Sequence, residues 1–363
     1  MWYRFQITDI TFLNFLESIP YYRNCCLSHL FLIIVVLIKW LRHPYGIDSI
    51  KGGIQLKTII VDEITVSPLI IGTGDLSKMN GTWILDEFVA AGGTTIDMAY
   101  QYTNSEVIIG QWMKENNNRD QLVLLSKCVH PLKGETTARV NPESITHDLL
   151  ISLERLGTDY IDLYALHRDD ESVAVEPIID ILNEHLSQGR IRTFGASNWS
   201  YQRIQQANDY AERQGLKGFT FNSPNLSLAI ALEARWPGCV SADENTALWH
   251  DNNQLPLLSW SAQAGGFFSG AFSPEDRSNE EMVRVYYSEP NWERYRRAVI
   301  LADEKKVTPT QIALYFVLHR PFPTAAIIGP RTSDELAQSF AVLSLDINES
   351  DLQWLNLERD ERS

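Results

Sequence analysis

From Gln55 onward, short runs of apolar residues alternate along the chain with longer stretches of helical periodicity. Eight of these runs are apolar almost throughout, which is typical of parallel strands that are buried on both faces. The predicted strands cover residues 69–72, 94–99, 122–127, 161–167, 193–197, 219–222, 256–261 and 325–329. Alternation of strand and helix repeated eight times predicts an α/β fold whose parallel strands close into a (β/α)8 TIM barrel.

The segments around these strands carry their own signals. Apolar residues at helical spacing predict a helix over 145–156, and Thr308-Pro309-Thr310-Gln311 has the capping-box spacing that begins another. Residues 54–60 and 64–66 flank Asp62-Glu63 and predict an N-terminal β-hairpin that caps one end of the barrel. The polar stretch 273–293 is expected to be a mobile loop. An open doubly wound sheet is the alternative fold, but its usual glycine fingerprint is absent.

Residues 1–53 are expected to be an extension outside the fold, so that 54–363 form the barrel domain. Residues 30–38 are wholly apolar, and the apolar run extends over 25–41 with its neighbours. A membrane-spanning helix needs about 20 apolar residues, so an anchor here is an alternative that we do not favour. A signal-type segment lacks its basic start and its cleavage site. A misassigned start of translation explains the segment best.

Charge and cysteine content narrow the function classes. The formal net charge of −15 argues against nucleic-acid partners, and 44% hydrophobic residues suit a globular domain with a large core. Cys25, Cys26, Cys128 and Cys239 have neither metal-ligand spacing nor a disulfide framework. We therefore expect no metal site and a cytoplasmic location. The sequence makes no prediction of oligomeric state.

Polar side chains recur where the predicted strands end, which is where barrel enzymes place their catalytic groups. Such residues end four consecutive predicted strands, the second to the fifth. In chain order they are Asp97, with Tyr102 in the loop that follows, then Lys127, His167 and Ser197-Asn198. Taken singly, each residue is more often a cap, a packing residue or a core histidine. Their repetition at one end of the barrel predicts a shared active site.

The motifs around these residues follow one another in the order found in aldo/keto reductases, and over about 54–355 the chain resembles that family. The matching motifs are Asp97-Met98-Ala99-Tyr100-Gln101-Tyr102, Asn104-Ser105-Glu106 with Gly110, Ser126-Lys127, Asp162-Leu163-Tyr164-Ala165-Leu166-His167, Gly189-Arg190-Ile191-Arg192, Gly195-Ala196-Ser197-Asn198 and Ile328-Gly329-Pro330-Arg331-Thr332.

The resemblance implies an NADP(H)-dependent oxidoreductase. Its substrates would be small molecules with an aldehyde, ketone or sugar-like carbonyl group, which the enzyme would reduce. Tyr102 would be the general acid, and Lys127 would lower its pKa from the usual value of about 10. Asp97 would hold Lys127, and His167 would orient the carbonyl oxygen. The alternative is a nucleotide-binding regulatory subunit that resembles the β subunits of potassium channels.

The resemblance also implies a cofactor site. Ser197 and Asn198 would bind the nicotinamide carboxamide, and the remaining cofactor-binding candidates are Gly72, Thr73, Ser223, Asn225, Ser261, Gln263, Gly266, Phe267, Gly329, Arg331, Thr332 and Glu335. The loop after the seventh strand would line the pyrophosphate. Arg331 and Thr332, at a helix N-terminus, would bind the 2′-phosphate, which favours NADP(H) over NAD(H). Glu335 would bond the adenine or complete the helix cap.

One position departs from the family pattern, and the substrate stays open. Leu226 stands where many family members have an aromatic residue that stacks on the nicotinamide. Trp199, Trp260, Phe267 and Phe268 offer aromatic surface near the barrel mouth that would suit sugars or aromatic carbonyls, or they are core residues.

Overall fold

The computed structural model describes residues 58–78, 81–102, 104–132, 134 and 139–362. Residues 1–53, which are expected to be an extension, lie outside the described residues, and so do residues 54–57 of the predicted hairpin. Within the described ranges, no helix has both the length and the apolar character needed to cross a membrane.

Eight parallel strands close into a barrel, which confirms the predicted (β/α)8 architecture. The hairpin is β1 (Ile59–Val61) and β2 (Ile64–Val66), and the barrel strands are β3 (Leu69–Gly72), β4 (Thr95–Asp97), β5 (Val123–Cys128), β6 (Ile161–Leu166), β7 (Ile191–Ser197), β8 (Asn222–Ser223), β9 (Leu257–Ser259) and β10 (Thr324–Ile328). Each strand pairs with the next along the chain, and β10 closes the barrel against β3.

Helices follow the strands around the outside of the barrel. They are α1 (Trp83–Ala90), α2 (Ser105–Asn116), α3 (Pro142–Leu156), α4 (Val175–Ser187), α5 (Tyr201–Gln214), α6 (Glu244–Asn253), α7 (Glu280–Tyr286), α8 (Glu289–Lys305), α9 (Pro309–Leu318), α10 (Ser333–Ala341) and α11 (Glu349–Leu355). The capping box predicted at Thr308 is present, with the side chains of Thr308 and Gln311 each bonded to the other's backbone.

The expectation of a loop over residues 273–293 is wrong in part, because α7 and the start of α8 lie there. Side-chain caps explain the difference. Asn279 accepts a hydrogen bond from the backbone of Met282, and Ser288 accepts one from Asn291. Such caps satisfy the backbone N–H groups that the first turn of a helix leaves without a partner. Two helices can therefore begin within this polar stretch.

The core has two parts. Most buried apolar residues pack between the barrel and its helices. A second cluster fills the barrel interior, where Leu125, Leu163 and Phe221 pack with residues of the hairpin such as Val61 and Val66. The hairpin therefore closes the barrel as predicted, and its residues lie at the ends of the strands opposite the polar groups described below.

Close helix packing also positions the candidate site. A Cβ atom added to Gly110 in α2 would lie 2.4 Å from the backbone oxygen of Arg155 in α3. Only glycine permits this approach. It brings Arg155 to the loop after β4, where its guanidinium carbon lies 4.7 Å from the ring centroid of Tyr100.

Candidate functional site

Four side chains meet at the carboxyl ends of the strands, and we call Asp97, Tyr102, Lys127 and His167 the barrel-mouth tetrad. Asp97 ends β4, Lys127 lies near the end of β5, and His167 follows β6. Lys127 and Asp97 form a buried ion pair, with exposed fractions of 2% and 3%. The Lys127 ammonium also donates to the backbone oxygen of Met98 at 3.3 Å.

Tyr102 completes the tetrad from the turn that follows β4. Its backbone N–H donates to the oxygen of Ala99 at 2.9 Å, which turns the chain back toward the barrel axis. The Tyr102 ring meets the His167 ring edge-on at a centroid distance of 5.9 Å, and the Lys127 ammonium lies 5.5 Å from the Tyr102 centroid. The structure thus brings together all four residues singled out from the sequence.

The pKa of Tyr102 depends on burial and on the charges around it. The pKa of Tyr102 is raised, because burial and the nearby Asp97 carboxylate both disfavour the phenolate. Lys127 pairs with Asp97 and lies 5.5 Å from the Tyr102 ring centroid, and a lowering of this pKa by its ammonium stays a prediction. The cation that opposes the shift is Arg168, which the sequence analysis did not consider.

The pKa values of the ion pair move as burial dictates. Desolvation raises the pKa of Asp97 and lowers that of Lys127, and in each case the partner's opposite charge works against the shift. Because neither residue has access to water, each charge depends on the other for its stability.

His167 is held neutral. Burial lowers its pKa well below the usual value, and the charges of Lys127 and Arg168 lower it further. Its Nδ1 atom is buried and has no hydrogen-bond partner among the described residues. His130 packs edge-on against it at a centroid distance of 5.1 Å. A neutral imidazole carries one N–H donor, so His167 can donate a hydrogen bond to an oxygen atom without being charged.

This predicts a flat pH dependence. A lowered pKa leaves His167 neutral both above and below the usual histidine pKa of about 6.5. We expect kcat/KM for the reaction at this site to change little between about pH 6 and 8, as measured from initial rates. His167→Gln should lower the rate and keep the flat profile. If wild-type kcat/KM fell as the pH rose through about 6.5, and His167→Gln did not show this fall, the charged imidazolium would be required.

A polar network outside the tetrad fixes the loop that carries Tyr102. Buried Glu106 accepts hydrogen bonds from Ser126 at 2.8 Å and from Arg155 at 3.2 Å. Arg155 donates in addition to the backbone oxygen of Tyr100 at 2.8 Å. Arg155 lies about fifty residues from this loop in the sequence, so no local pattern could have identified it.

The first pair of predicted cofactor residues is buried at the end of β7 and bonded within the protein. Asn198 donates to the oxygen of His167 and to the hydroxyl of Ser197, both at 3.1 Å, and its carbonyl accepts from Val240 and Trp260. Ser197 donates to the oxygen of Ser223 at 2.8 Å. The amide of Asn198 therefore already has partners at every position, and it orients the backbone of His167.

Ser223, Asn225 and Leu226 form hydrogen bonds that connect the end of β8 to β9 and to the residue that follows it. Ser223 donates to the oxygen of Leu258 at 2.7 Å, and Asn225 donates to the oxygen of Trp260 at 3.1 Å. The backbone of Leu226 exchanges hydrogen bonds with the Ser259 hydroxyl, and its side chain is 8% exposed. Leu226 is thus nearly buried beside the mouth.

Two further candidates lie at the end of the first barrel strand, where Gly72 is the last residue of β3 and Thr73 follows it. A Cβ atom at Gly72 would lie 3.0 Å from the side chain of Ile327, so the absence of a side chain allows β3 and β10 to approach. Thr73 is 1% exposed and donates to the oxygen of Asp97 at 2.8 Å. Thr73 therefore supports the backbone of the tetrad.

The loop after β9, which is predicted to line the pyrophosphate, contains several residues with left-handed backbone conformations. Ser261, Gly265 and Gly266 have positive φ angles of 50°, 62° and 88°, and the N–H of Gly266 donates to the oxygen of Gln263 at 2.9 Å. Phe267, by contrast, is 0% exposed and packs 4.6 Å from the ring of Trp292. Only the backbone of Phe267 remains a candidate for cofactor contact.

The predicted anion site lies at the exposed start of α10. Thr332 caps the helix by accepting from the N–H of Glu335 at 3.2 Å. The Glu335 carboxylate accepts a hydrogen bond from the backbone N–H of Arg331 at 2.7 Å, so Glu335 contributes to the cap. No atom of the described residues lies within 4 Å of where a Cβ of Gly329 would be, apart from its chain neighbours, so there is space in front of the helix.

The aromatic residues near the mouth divide into two groups. Trp199, Phe267 and Phe268 are exposed to 1% or less, so of the two alternatives they are core residues and not a substrate surface. Trp260 is half-buried and stacks on Trp236 with a centroid distance of 5.7 Å. Trp236 is 45% exposed. The sequence analysis missed it because it belongs to an irregular loop between β8 and α6.

Comparison with known proteins agrees with this site. Residues 69–356 match the sequence profile of the aldo/keto reductase family. The chain belongs to this family of oxidoreductases. It is 28% identical over 314 residues to norsolorinic acid reductase stcV of Emericella nidulans, with 80% of this chain and 77% of that protein aligned. A putative aryl-alcohol dehydrogenase of Saccharomyces cerevisiae is 26% identical, with 80% and 83% aligned. An aryl-alcohol dehydrogenase of Pestalotiopsis microspora is also 26% identical, with 78% and 73% aligned.

Proposed function

We propose that this protein is an NADP(H)-dependent carbonyl reductase in which Tyr102 donates the proton. The observation that carries the proposal is the barrel-mouth tetrad, in which a protonated phenol and a neutral imidazole meet edge-on beside a buried ion pair. Aldehydes and ketones are the substrate class. The names of the relatives make aromatic carbonyls the first to test.

Each member of the tetrad has a task in this chemistry. The cofactor, when bound, supplies the hydride. Tyr102 gives its proton to the carbonyl oxygen, and its raised pKa keeps the phenol protonated until an alkoxide forms beside it. His167 donates a hydrogen bond to the same oxygen from its neutral ring. Lys127 and Asp97 fix the β4 and β5 ends on which this geometry depends.

The residues present fit a dinucleotide phosphate cofactor. The positive φ of Gly266 leaves its backbone free of a side chain that would exclude a phosphate, and the space beside Gly329 is open. Arg331 and Thr332 are exposed at the N-terminus of α10, where backbone N–H groups favour an anion. Arg331 would bind the 2′-phosphate, and the loop around Gly266 would line the pyrophosphate.

The cofactor assignment predicts a selective effect of Arg331→Ala. Loss of a charge-assisted contact with the 2′-phosphate should weaken NADPH binding about 10- to 100-fold and leave NADH binding nearly unchanged. Fluorescence titration of both cofactors measures this. Arg213→Ala, an exposed arginine in the last turn of α5, is the matched control and should change neither affinity. Equal losses for NADPH and NADH in Arg331→Ala would contradict the assignment.

The activity itself is tested with a substrate panel. Purified protein should oxidise NADPH in the presence of aromatic aldehydes and form the corresponding alcohols in equal amount. Tight NADPH binding without turnover of any aldehyde, ketone or sugar would contradict the proposal and support the regulatory alternative. The relatives reported above are named as reductases and dehydrogenases, which favours turnover.

A further inference from the structure

Arg168 is a buried arginine with no carboxylate partner among the residues that the structure describes. It is 7% exposed. Its Nε donates to the backbone oxygen of Pro237 at 3.2 Å, and its Nη1 donates to the oxygen of His167 at 2.8 Å. Arg203 is equally buried but has an ion pair with Asp169 at 3.3 Å. A guanidinium remains charged in proteins, and a buried charge without a counter-ion is costly.

The charge of Arg168 acts on the barrel mouth. The electrostatic effect of this charge is to lower the pKa values of nearby groups. It adds to the lowering by burial for Lys127, His130 and His167, and for Tyr102 it opposes the larger rise that burial causes. The acidic groups near it do not neutralise it, because burial raises the pKa of the Cys239 thiol and of Tyr102, and both stay protonated. Among the residues that the structure describes, no ion pair therefore neutralises this positive charge beside the tetrad.

The same structure holds an aromatic surface. The loop that accepts the hydrogen bond from Arg168 at Pro237 also carries Trp236, which stacks on Trp260. The indole N–H of Trp260 donates to Asn198 at 3.1 Å. Asn198 in turn donates to the oxygen of His167, the atom that also accepts from Arg168. One hydrogen-bond network thus fixes the guanidinium and the two indoles relative to each other.

We propose that Arg168 binds an anionic oxygen of an aromatic carbonyl substrate, while Trp236 and Trp260 contact the ring. This inference rests on the proposed function, since it names the substrate class of the same site. Arginine presents parallel N–H donors that match a carboxylate, and a single N–H suffices for a phenolate. Either group would supply the missing negative charge at the mouth.

The test compares an anionic substrate with a neutral one that has the same ring and the same aldehyde group. We measure kcat and KM for 4-formylbenzoate and for its neutral methyl ester, using wild-type protein and Arg168→Gln. Arg168→Gln should lower kcat/KM for the acid about 10- to 100-fold more than for the ester, and the difference should lie mainly in KM. Arg168→Lys, which keeps the charge, should recover part of the loss.

A matched variant controls for the loss of a buried guanidinium. Arg203→Gln removes a guanidinium that is already paired, and it should alter the two substrates by the same factor. Equal losses for acid and ester in Arg168→Gln would overturn the proposal. The pair 4-hydroxybenzaldehyde and 4-methoxybenzaldehyde, measured in the same way, shows whether the bound oxygen is a phenolate.

A binding measurement separates this proposal from the proposed function. Tryptophan fluorescence follows the binding of 4-formylbenzoate without reduced cofactor, because Trp236 and Trp260 line the subsite. Saturable quenching that is lost in Arg168→Gln supports the subsite even if the wild-type protein reduces nothing. Absence of saturable quenching in the wild type, or equal quenching in Arg168→Gln, overturns it whether or not the ester is reduced.

Discussion

Tyr102→Phe is expected to lower kcat for carbonyl reduction by about 10²- to 10⁴-fold, the usual contribution of a general acid. The substitution removes one hydroxyl group and leaves the ring contact with His167, 5.9 Å between centroids, in place. NADPH affinity should be unchanged, because the proposed cofactor contacts lie on the loop around Gly266 and at the start of α10. Pre-steady-state rates with one aromatic aldehyde, together with cofactor titration, measure both effects.

The pH dependence gives this prediction a second readout. The residual activity of Tyr102→Phe must come from His167 and from positioning, so it should persist at a low, pH-independent level. If Tyr102→Phe retained wild-type kcat, Tyr102 would not be the proton donor. If it lost NADPH binding to the same extent as activity, the hydroxyl would have a structural or cofactor role.

Lys127→Met should be the most destabilising substitution in the tetrad. It leaves the Asp97 carboxylate 3% exposed and without a counter-ion. Removing one partner of a buried ion pair costs about 3–5 kcal/mol. The free energy of unfolding, measured by urea titration, should fall by this amount, and reductase activity should be lost with it.

A double variant separates the two effects. Asp97→Leu combined with Lys127→Met replaces the ion pair by apolar groups, and it should recover most of the lost stability because no buried charge remains. Activity should stay absent, since the tetrad is incomplete. A double variant as unstable as Lys127→Met alone would show that packing, and not the unpaired charge, determines the loss.

Much of the fold could be predicted because the barrel strands are buried on both faces. Runs such as 69–72 and 161–167 have no polar side to confuse the pattern, and both are strands of the barrel. The polar stretch 273–293 was harder, since its helices depend on caps at Asn279 and Ser288 and not on an apolar stripe. Polarity alone does not distinguish a loop from the exposed face of a capped helix.

The tetrad was predictable for a related reason, whereas its surroundings were not. Asp97 and Lys127 each lie at a strand end, and parallel strands bring such ends to one edge. Arg155 and Trp236 come from a distant helix and an irregular loop, and only tertiary packing places them. Arg168 did carry a local signal, because a charged residue directly follows His167 at the end of β6.

The central claim is that this barrel transfers hydride from NADPH to a carbonyl carbon, and isotope transfer tests it most directly. Wild-type protein would be incubated with an aromatic aldehyde and NADPH deuterated at the reactive carbon of the nicotinamide, once on each face. We expect one of the two labelled cofactors to give alcohol that carries deuterium on the former carbonyl carbon, as measured by mass spectrometry. Unlabelled alcohol, or no alcohol although NADPH binds, would contradict the account.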